Sequence, residues 1–397
     1  MIIAWKEIKE SKGRYILICA VILLVSYLSF FLTALSFGLA QANRTSVDAW
    51  NARSVILSDD ANGVVVSSSI TREQEKNAMG SSHNSDPGTA GTNSVEPISV
   101  LPAVTSISQD AQSTTGIGKD FNAVLFGVRD DSTLVPPLVE GRQAKGASEA
   151  VASISLKTKD SVNLGDTIKA GKANDEYIIV GFTRSSEYNT SPVVYVRNGS
   201  FTLPAALAAQ AGLAAQATRD SGGQKTAVDE GRDIVASALV VTSRSSTGTA
   251  TALPDGLVNV DIKDFINSIP GYQAQVLTFV LMLGFLVGIS ALIVGIFIYI
   301  LTIHKRHIFG VLKAQGYSNG FIARSVLFQT LLIAVAGTVW GLGLALLTVS
   351  AMPPRVPVSV SVYWYSLIGG ILILSCLLGA VFSVIAVTSV DALEALS

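Results

Sequence analysis

Apolar residues fall along the chain in four long runs without a charge in their interiors. One lies near the N-terminus and three are crowded at the C-terminal end, with a mostly polar segment between the first and the second. The runs cover roughly 15–42, 265–303, 325–354 and 356–390. Each exceeds the ~20 residues that a helix needs to cross a hydrocarbon core of ~30 Å. The pattern predicts an α-helical membrane protein with four transmembrane helices in a 1+3 arrangement, at 15–42, 271–303, 325–352 and 362–390, and a large α+β extracytoplasmic domain over 43–270. Segments 1–14, 304–324 and 391–397 are left for the cytoplasmic side.

Basic residues set the expected orientation. Lys6, Lys9, Lys12 and Arg14 precede the first run, and Lys305, Arg306, Lys313 and Arg324 fill the connection between the second and third. Both segments therefore read as cytoplasmic. Pro353, Pro354 and Arg355 then form a tight outside turn, and Tyr363, Trp364 and Tyr365 sit near the outer end of the last span, where amphipathic rings prefer the headgroup layer. A rival reading takes Ala40-Gln41-Ala42 as the cleavage site of a secretory signal peptide. The apolar run before it is much longer than a signal h-region of about 7–15 residues, which favours a retained helix.

The segment between the first two spans is uneven. From about 66 to 116 it is rich in Ser, Thr, Asn, Asp and Gly, a composition that buries little core, and it reads as loops or a low-complexity insertion. Beyond Asn122, apolar runs with β-branched residues and Gly, Asp or Asn boundaries predict short strands at 123–128, 154–158, around Ile168, and at 177–182, 192–196 and 234–242. The Ala-rich stretch 203–217 reads as a helix.

A formal net charge of −1 gives no basic field for nucleic acid. Both cysteines, Cys19 and Cys376, lie inside predicted spans, so the extracytoplasmic domain has neither a disulfide nor a thiolate metal site. His83 stands alone, and His304 and His307 flank Lys305 and Arg306, whose charge disfavours a bound cation. No metal is expected. The two Gly-Lys pairs, Gly118-Lys119 and Gly171-Lys172, are not followed by Ser or Thr, so no phosphate-cradling loop is complete. Ser221-Gly222-Gly223-Gln224 has no such loop to serve and reads as a polar turn, and no nucleophile–base constellation stands out.

The segment that follows the second span is the most informative. Ile308, Val311 and Leu312 share one face of a short predicted helix that ends at Gly316, with basic residues opposite; such a helix could lie in the headgroup layer. Gly310, Leu312, Lys313, Ala314 and Gly316 also resemble the "GILKALG"-like coupling helix of the FtsX/MacB superfamily of type VII ABC permeases, with His307 and Gln315 departing from the usual residues. The closing Asp391-Ala392-Leu393-Glu394-Ala395-Leu396 resembles that superfamily's "DPxEAL" stretch, with Ala392 where proline is common. Gly141-Arg142, Gly165-Asp166 and Val180-Gly181 resemble elements of its MacB-like domain. A narrower resemblance, to the HrtB-type permeases of Gram-positive haem exporters, rests on Ala4-Trp5-Lys6-Glu7-Ile8 in an amphipathic N-terminal segment, on Arg14 to Ile18, on Gly38-Leu39-Ala40 and on Tyr272-Gln273-Ala274. Relative to that group the tract 66–116 looks like an insertion.

The resemblance implies a non-enzymatic permease in the cell membrane. It would work beside a separate ABC ATPase (HrtA-like), with a second copy of itself and surrounding lipid as partners, and Ile308, Gly310, Leu312, Lys313, Ala314 and Gly316 would form the ATPase contact. Haem is then the expected transported ligand, with no intrinsic cofactor. Tyr272, just after the helix-breaking Pro270-Gly271, is a candidate haem ligand, with Gln273 beside it and Tyr188 as a second candidate. An interface-anchoring role for Tyr272 remains open, and Met282, deeper in the same span, reads as core packing. Gly284-xxx-Gly288 and Gly337-xxx-Gly341 allow close helix approach, within the chain or between copies. The alternatives in function are export of an antimicrobial peptide or lipid-like compound, and an FtsX-type activator of a cell-wall hydrolase.

Overall fold

The computed structural model describes residues 12–83, 94–108, 120–170, 175–200, 234–242, 253–304 and 318–388. In chain order these form α1 (Lys12–Ala49), β1 (Ser54–Ser58), β2 (Ile70–Thr71), α2 (Arg72–His83), β3 (Ser94–Ser108), β4 (Asp120–Val128), β5 (Leu138–Gly141) and β6 (Glu149–Ser153). There follow α3 (Ile154–Asp160), β7 (Thr167–Ala170), β8 (Asp175–Thr183), β9 (Glu187–Tyr188), β10 (Ser191–Arg197), β11 (Ile234–Ala236), β12 (Ala238–Thr242) and β13 (Leu257–Asp261). The last helices are α4 (Ile262–Ser268), α5 (Tyr272–His304), α6 (Asn319–Ser350) and α7 (Val362–Thr388). Two compact units result: a helical unit of 1–39 and 275–397, and a β-rich unit of 40–274.

In the helical unit, α1, α5, α6 and α7 are each long and apolar enough to cross a membrane, over Ile16–Ala49, Tyr272–Ile300, Ala323–Ser350 and Val362–Val381. The fold class is thus four membrane helices in a 1+3 order with a mixed α/β region between the first and second. Their ends follow local chemistry. Ser318 caps α6, its hydroxyl accepting from the Phe321 N–H at 3.3 Å. Pro353 and Pro354, beyond the end of that helix, cannot continue it. Pro270 and Gly271 (φ +80°) separate α4 from α5.

The β-rich unit is organised by one ring. β3 pairs antiparallel with β4, β4 parallel with β10, β10 antiparallel with β6, β6 parallel with β8, and β8 antiparallel with β7; β7 then returns to β3. Closure of so few strands leaves a narrow interior. It is filled by small residues, Ala103, Ala123, Ala150, Ala152 and Ala170, interleaved with Phe121, Tyr177, Ile179 and Phe182. Each large side chain sealed there contributes roughly 1.5–3 kcal/mol. The first half of β3 leaves the ring to pair with β12, and β1 and β13 extend that sheet, on which Ile56, Leu239 and Leu257 cluster with Ala78 of α2.

Several expectations change. The run 154–158 is the helix α3 and not a strand: the Ser153 hydroxyl accepts from the Ser155 N–H and starts it, and Ser161 in the left-handed region (φ 63°) ends it. The tract 66–116 is not loop throughout, because α2 and the long β3 occupy 72–83 and 94–108. Ile98 and Val100 alternate on either side of Ser99 in that strand, and the polar residues flanking it obscure the pattern in the composition. The predicted strand 234–242 is two strands broken at Ser237, whose hydroxyl accepts from the Val100 N–H at 3.1 Å. The predicted helix 203–217 lies outside the described residues.

Candidate functional site

Glycines set the helix contacts of the bundle. A Cβ on Gly337 would lie 2.7 Å from Ile22 Cγ2, and one on Gly341 would lie 2.7 Å from Ser26 Cβ, so α6 rests directly on α1. Gly295 and Gly379 face each other in the same way and bring α5 against α7. Sequence reasoning missed this second contact. Its signal was the small-xxx-small pairs Ala291-xxx-Gly295 and Ser375-xxx-Gly379. At Gly38 the backbone of Pro357 crosses α1, and the Ser359 N–H donates to the Ala34 carbonyl at 3.1 Å.

Hydroxyls buried in the bundle bond mainly to their own helices. Ser29 donates to the Val25 carbonyl at 2.8 Å, Thr33 to Ser29 at 2.7 Å and Thr330 to Val326 at 3.0 Å. No Asp, Glu, Lys or Arg occurs at 16–43, 272–303, 325–350 or 362–388. Such a bundle has no ionisable relay across those spans.

Helix α5 keeps a narrow buried stripe, Ser290, Val294 and Ile298, and leaves a broad apolar flank open. Phe285 is 70% exposed, and Leu281, Ile289 and Leu292 continue the flank. Gly284 and Gly288 lie within it, and a Cβ on either would meet nothing within 4 Å among the described residues. Met282, expected in the core, is 48% exposed, because it lies on the open flank and not on the side of α5 that carries Ser290, Val294 and Gly295. At the head of α5, Tyr272 is 9% exposed, its N–H donating to the Ile269 carbonyl at 3.0 Å, and Gln273 is exposed.

The candidate ligands sit on different elements, Tyr188 on β9 and Tyr272 and Gln273 at the head of α5. Tyr188 is 4% exposed in the β-rich unit, its ring edge-on to Phe126 with centroids 5.8 Å apart, and burial pushes its phenol far above the ordinary value of 10.0. In this structure its phenol is enclosed by protein and not presented to solvent. Tyr365 also departs from the aromatic-belt reading. Tyr363 and Trp364 are exposed, whereas Tyr365 is buried against Phe30 with ring centroids 5.4 Å apart. Ile308, Gly310, Leu312, Lys313, Ala314 and Gly316 lie outside the described residues.

The motifs Gly141-Arg142, Gly165-Asp166 and Val180-Gly181 converge on one corner. Gly141 (φ +80°) sits against Val180 and Gly181, and the Arg142 N–H donates to the Val180 carbonyl at 3.0 Å. The Gly165 N–H donates to the Ile179 carbonyl at 2.8 Å, and the Ile179 N–H to the Asp166 carbonyl at 2.9 Å. Arg142 forks onto Glu149 at 2.6 and 2.7 Å. These motifs build the scaffold.

Residues 280–392, covering most of α5 and all of α6 and α7, match the FtsX-like permease C-terminal family. They form an FtsX-like permease domain. Over its whole length the chain is also 25% identical to a Staphylococcus haemolyticus protein named "Putative hemin transport system permease protein HrtB", covering 99% of that relative. A Staphylococcus epidermidis protein of the same name is 21% identical, with the same coverage. The resemblance to FtsX/MacB-type permeases is borne out, and with the four membrane helices these matches support an ABC permease in the cell membrane.

Proposed function

We propose that this chain is the permease subunit of an ABC efflux transporter that takes haem from the outer leaflet of the membrane. The observation that carries this reading is the end-to-end similarity to proteins named for hemin transport, which spans the β-rich unit as well as the permease domain. Ile308 to Gly316 dock into a separate HrtA-like ATPase. Closure of two ATPases tilts this segment, moves the first two spans and expels the cargo without a continuous channel. The N- and C-termini are cytoplasmic, the β-rich unit is extracytoplasmic, and the first helix is retained.

Haem is a flat amphiphile with two carboxylates, and the apolar flank of α5 suits its ring better than a polar pore would. Tyr272, as ligand or close neighbour, and Gln273 stand at the head of that flank. The open Gly284 and Gly288 face supports pairing with a second copy of the chain.

The test uses the permease assembled with its ATPase in lipid. Haem should stimulate ATP turnover, the complex should show a Soret band of oxygen-ligated ferric haem, and Tyr272→Ala should alter that band. Haem that neither binds nor stimulates turnover would overturn the cargo assignment, and a peptide that stimulates instead would keep export with another substrate. An unchanged band in Tyr272→Ala would remove Tyr272 alone.

A further inference from the structure

Helix α1 is longer than a membrane requires. Its 38 residues extend about 57 Å at 1.5 Å per residue, nearly twice the ~30 Å hydrocarbon core. Residues 40–49 of this helix belong to the β-rich unit, where Ala42, Asn43, Ser46 and Val47 form a buried face continued by Trp50.

The β9–β10 hairpin closes on that face. The Asn189 N–H donates to the Asn43 carbonyl at 3.1 Å and the Thr190 N–H to the Ala42 carbonyl at 3.0 Å. At the hairpin's base, the Glu187 N–H donates to Thr45 Oγ1 at 2.8 Å and Ser46 Oγ donates to the Glu187 carbonyl at 2.9 Å. Base and tip differ in character. The base is fixed: Glu187 pairs with Lys159 at 2.6 Å, the Ser186 and Tyr195 hydroxyls share a hydrogen bond at 2.6 Å, and Tyr188 packs on Phe126. The tip is strained. Asn189 (φ 48°) and Thr190 (φ 65°) both have the positive φ of a type I′ turn, whose second position favours glycine. A β-branched residue enters that region only under constraint.

The tip bonds also cost little to break. Their acceptors are helix carbonyls that already accept along α1 and use only a second lone pair here. Asn189 and Thr190 are exposed, so water can take over their N–H groups. We propose that the Asn189-Thr190 tip is a releasable clasp on helix α1. It holds Ala42 and Asn43 in one state of the transport cycle and lets them go in the other, while Thr45 and Ser46 keep the base attached. This rests on the ATP-driven permease reading above and assigns that cycle a moving part.

Hydrogen exchange on the full-length permease with its ATPase in lipid nanodiscs, with and without a non-hydrolysable ATP analogue, tests it. The Asn189 and Thr190 amides should exchange at rates about tenfold apart in the two states, while the Val194 amide in β10 stays constant. Thr190→Gly removes the strain at an exposed position, so it should narrow that difference and slow coupled ATP turnover. If the tip amides exchange equally in both states while amides of α5 or α6 respond to nucleotide, the clasp is wrong and the permease reading stands. If no amide of the chain responds, both fall.

Discussion

Helices α5 and α6 each carry two glycines four residues apart, and the two pairs are used in opposite ways. Gly337 and Gly341 of α6 press on Ile22 and Ser26 of α1 so closely that a side chain at either would overlap them. A Cβ on Gly284 or Gly288 of α5 would meet nothing within 4 Å among the described residues. The spacing licenses a close approach but does not name the partner. That depends on whether another helix presents small or branched residues with a matching rise, as α1 does with Ile22 and Ser26. Lipid tails are as apolar as leucine, so a membrane helix can leave such a face open at small cost. The β-rich unit repeats the filled version in a different setting, where Gly141 lies against Gly181.

The largest effect should follow from filling the closed contact. Gly341→Leu puts a side chain where Ser26 Cβ and the Leu23 and Tyr27 backbone already stand, so it should cost about 3 kcal/mol or more or prevent folding of the bundle. Unfolding of the purified chain in mixed micelles measures this, and wild-type stability would break the comparison at its firmest point. Gly141→Ala should come next. Its φ of +80° and its contact with Val180 and Gly181 combine backbone strain with overlap, for roughly 2–4 kcal/mol. Loss of exchange protection at the β5–β8 corner would register it.

The same contrast shows what was legible in the sequence. Four spans could be read because each apolar run exceeds the membrane thickness, and the strands at 120–128, 175–183 and 191–197 because β-branched runs sit between turn residues. Five residues at 154–158 carry too little periodicity to separate strand from helix, and the deciding feature was the capping hydroxyl of Ser153. Closure of the ring could not be read, since it depends on β7 meeting β3, a pairing of distant segments. Tyr188 followed a glutamate and preceded Asn-Thr, so it resembled an exposed turn residue. In the structure it is the last strand residue before the turn and points into the Phe126 cluster. Among the candidate site residues, the sequence located Tyr272 at the start of a span but gave no measure of its burial.

Filling the open contact should leave the fold alone. Gly284→Leu with Gly288→Leu adds apolar surface where no described residue stands, so the stability of the single chain should change by less than about 0.5 kcal/mol. Association between copies should weaken by about tenfold or more if this face is the dimer contact, by the loss of close backbone approach. Energy transfer between labelled copies in vesicles separates the outcomes. Unchanged association would return Gly284 and Gly288 to a lipid-facing role, whereas a lost fold would show that the face is not open.

The smallest expected effect distinguishes the two closed glycine contacts by their response to acid. Beside Gly141, the Glu149 carboxylate accepts two bonds from Arg142 and one from the Lys145 N–H, which together hold its pKa at about 2, below its ordinary 4.5. A carboxylate depressed in the folded state contributes stability that is fully present above its unfolded pKa and is lost as pH falls through the folded one. The Glu149 contribution should therefore be constant above pH 4.5 and fade between about pH 4.5 and 2. The atoms that meet Gly341 are Ser26 Cβ and the backbone of Leu23 and Tyr27, none of which titrates in that range. Denaturation of the full-length chain across this window should show the difference between wild type and Glu149→Gln shrinking as pH falls, while the cost of Gly341→Ala stays level. Parallel pH curves for wild type and Glu149→Gln would mean that the Arg142 fork does not hold the corner. The glycine contact would then be stabilised by shape alone, as in the bundle.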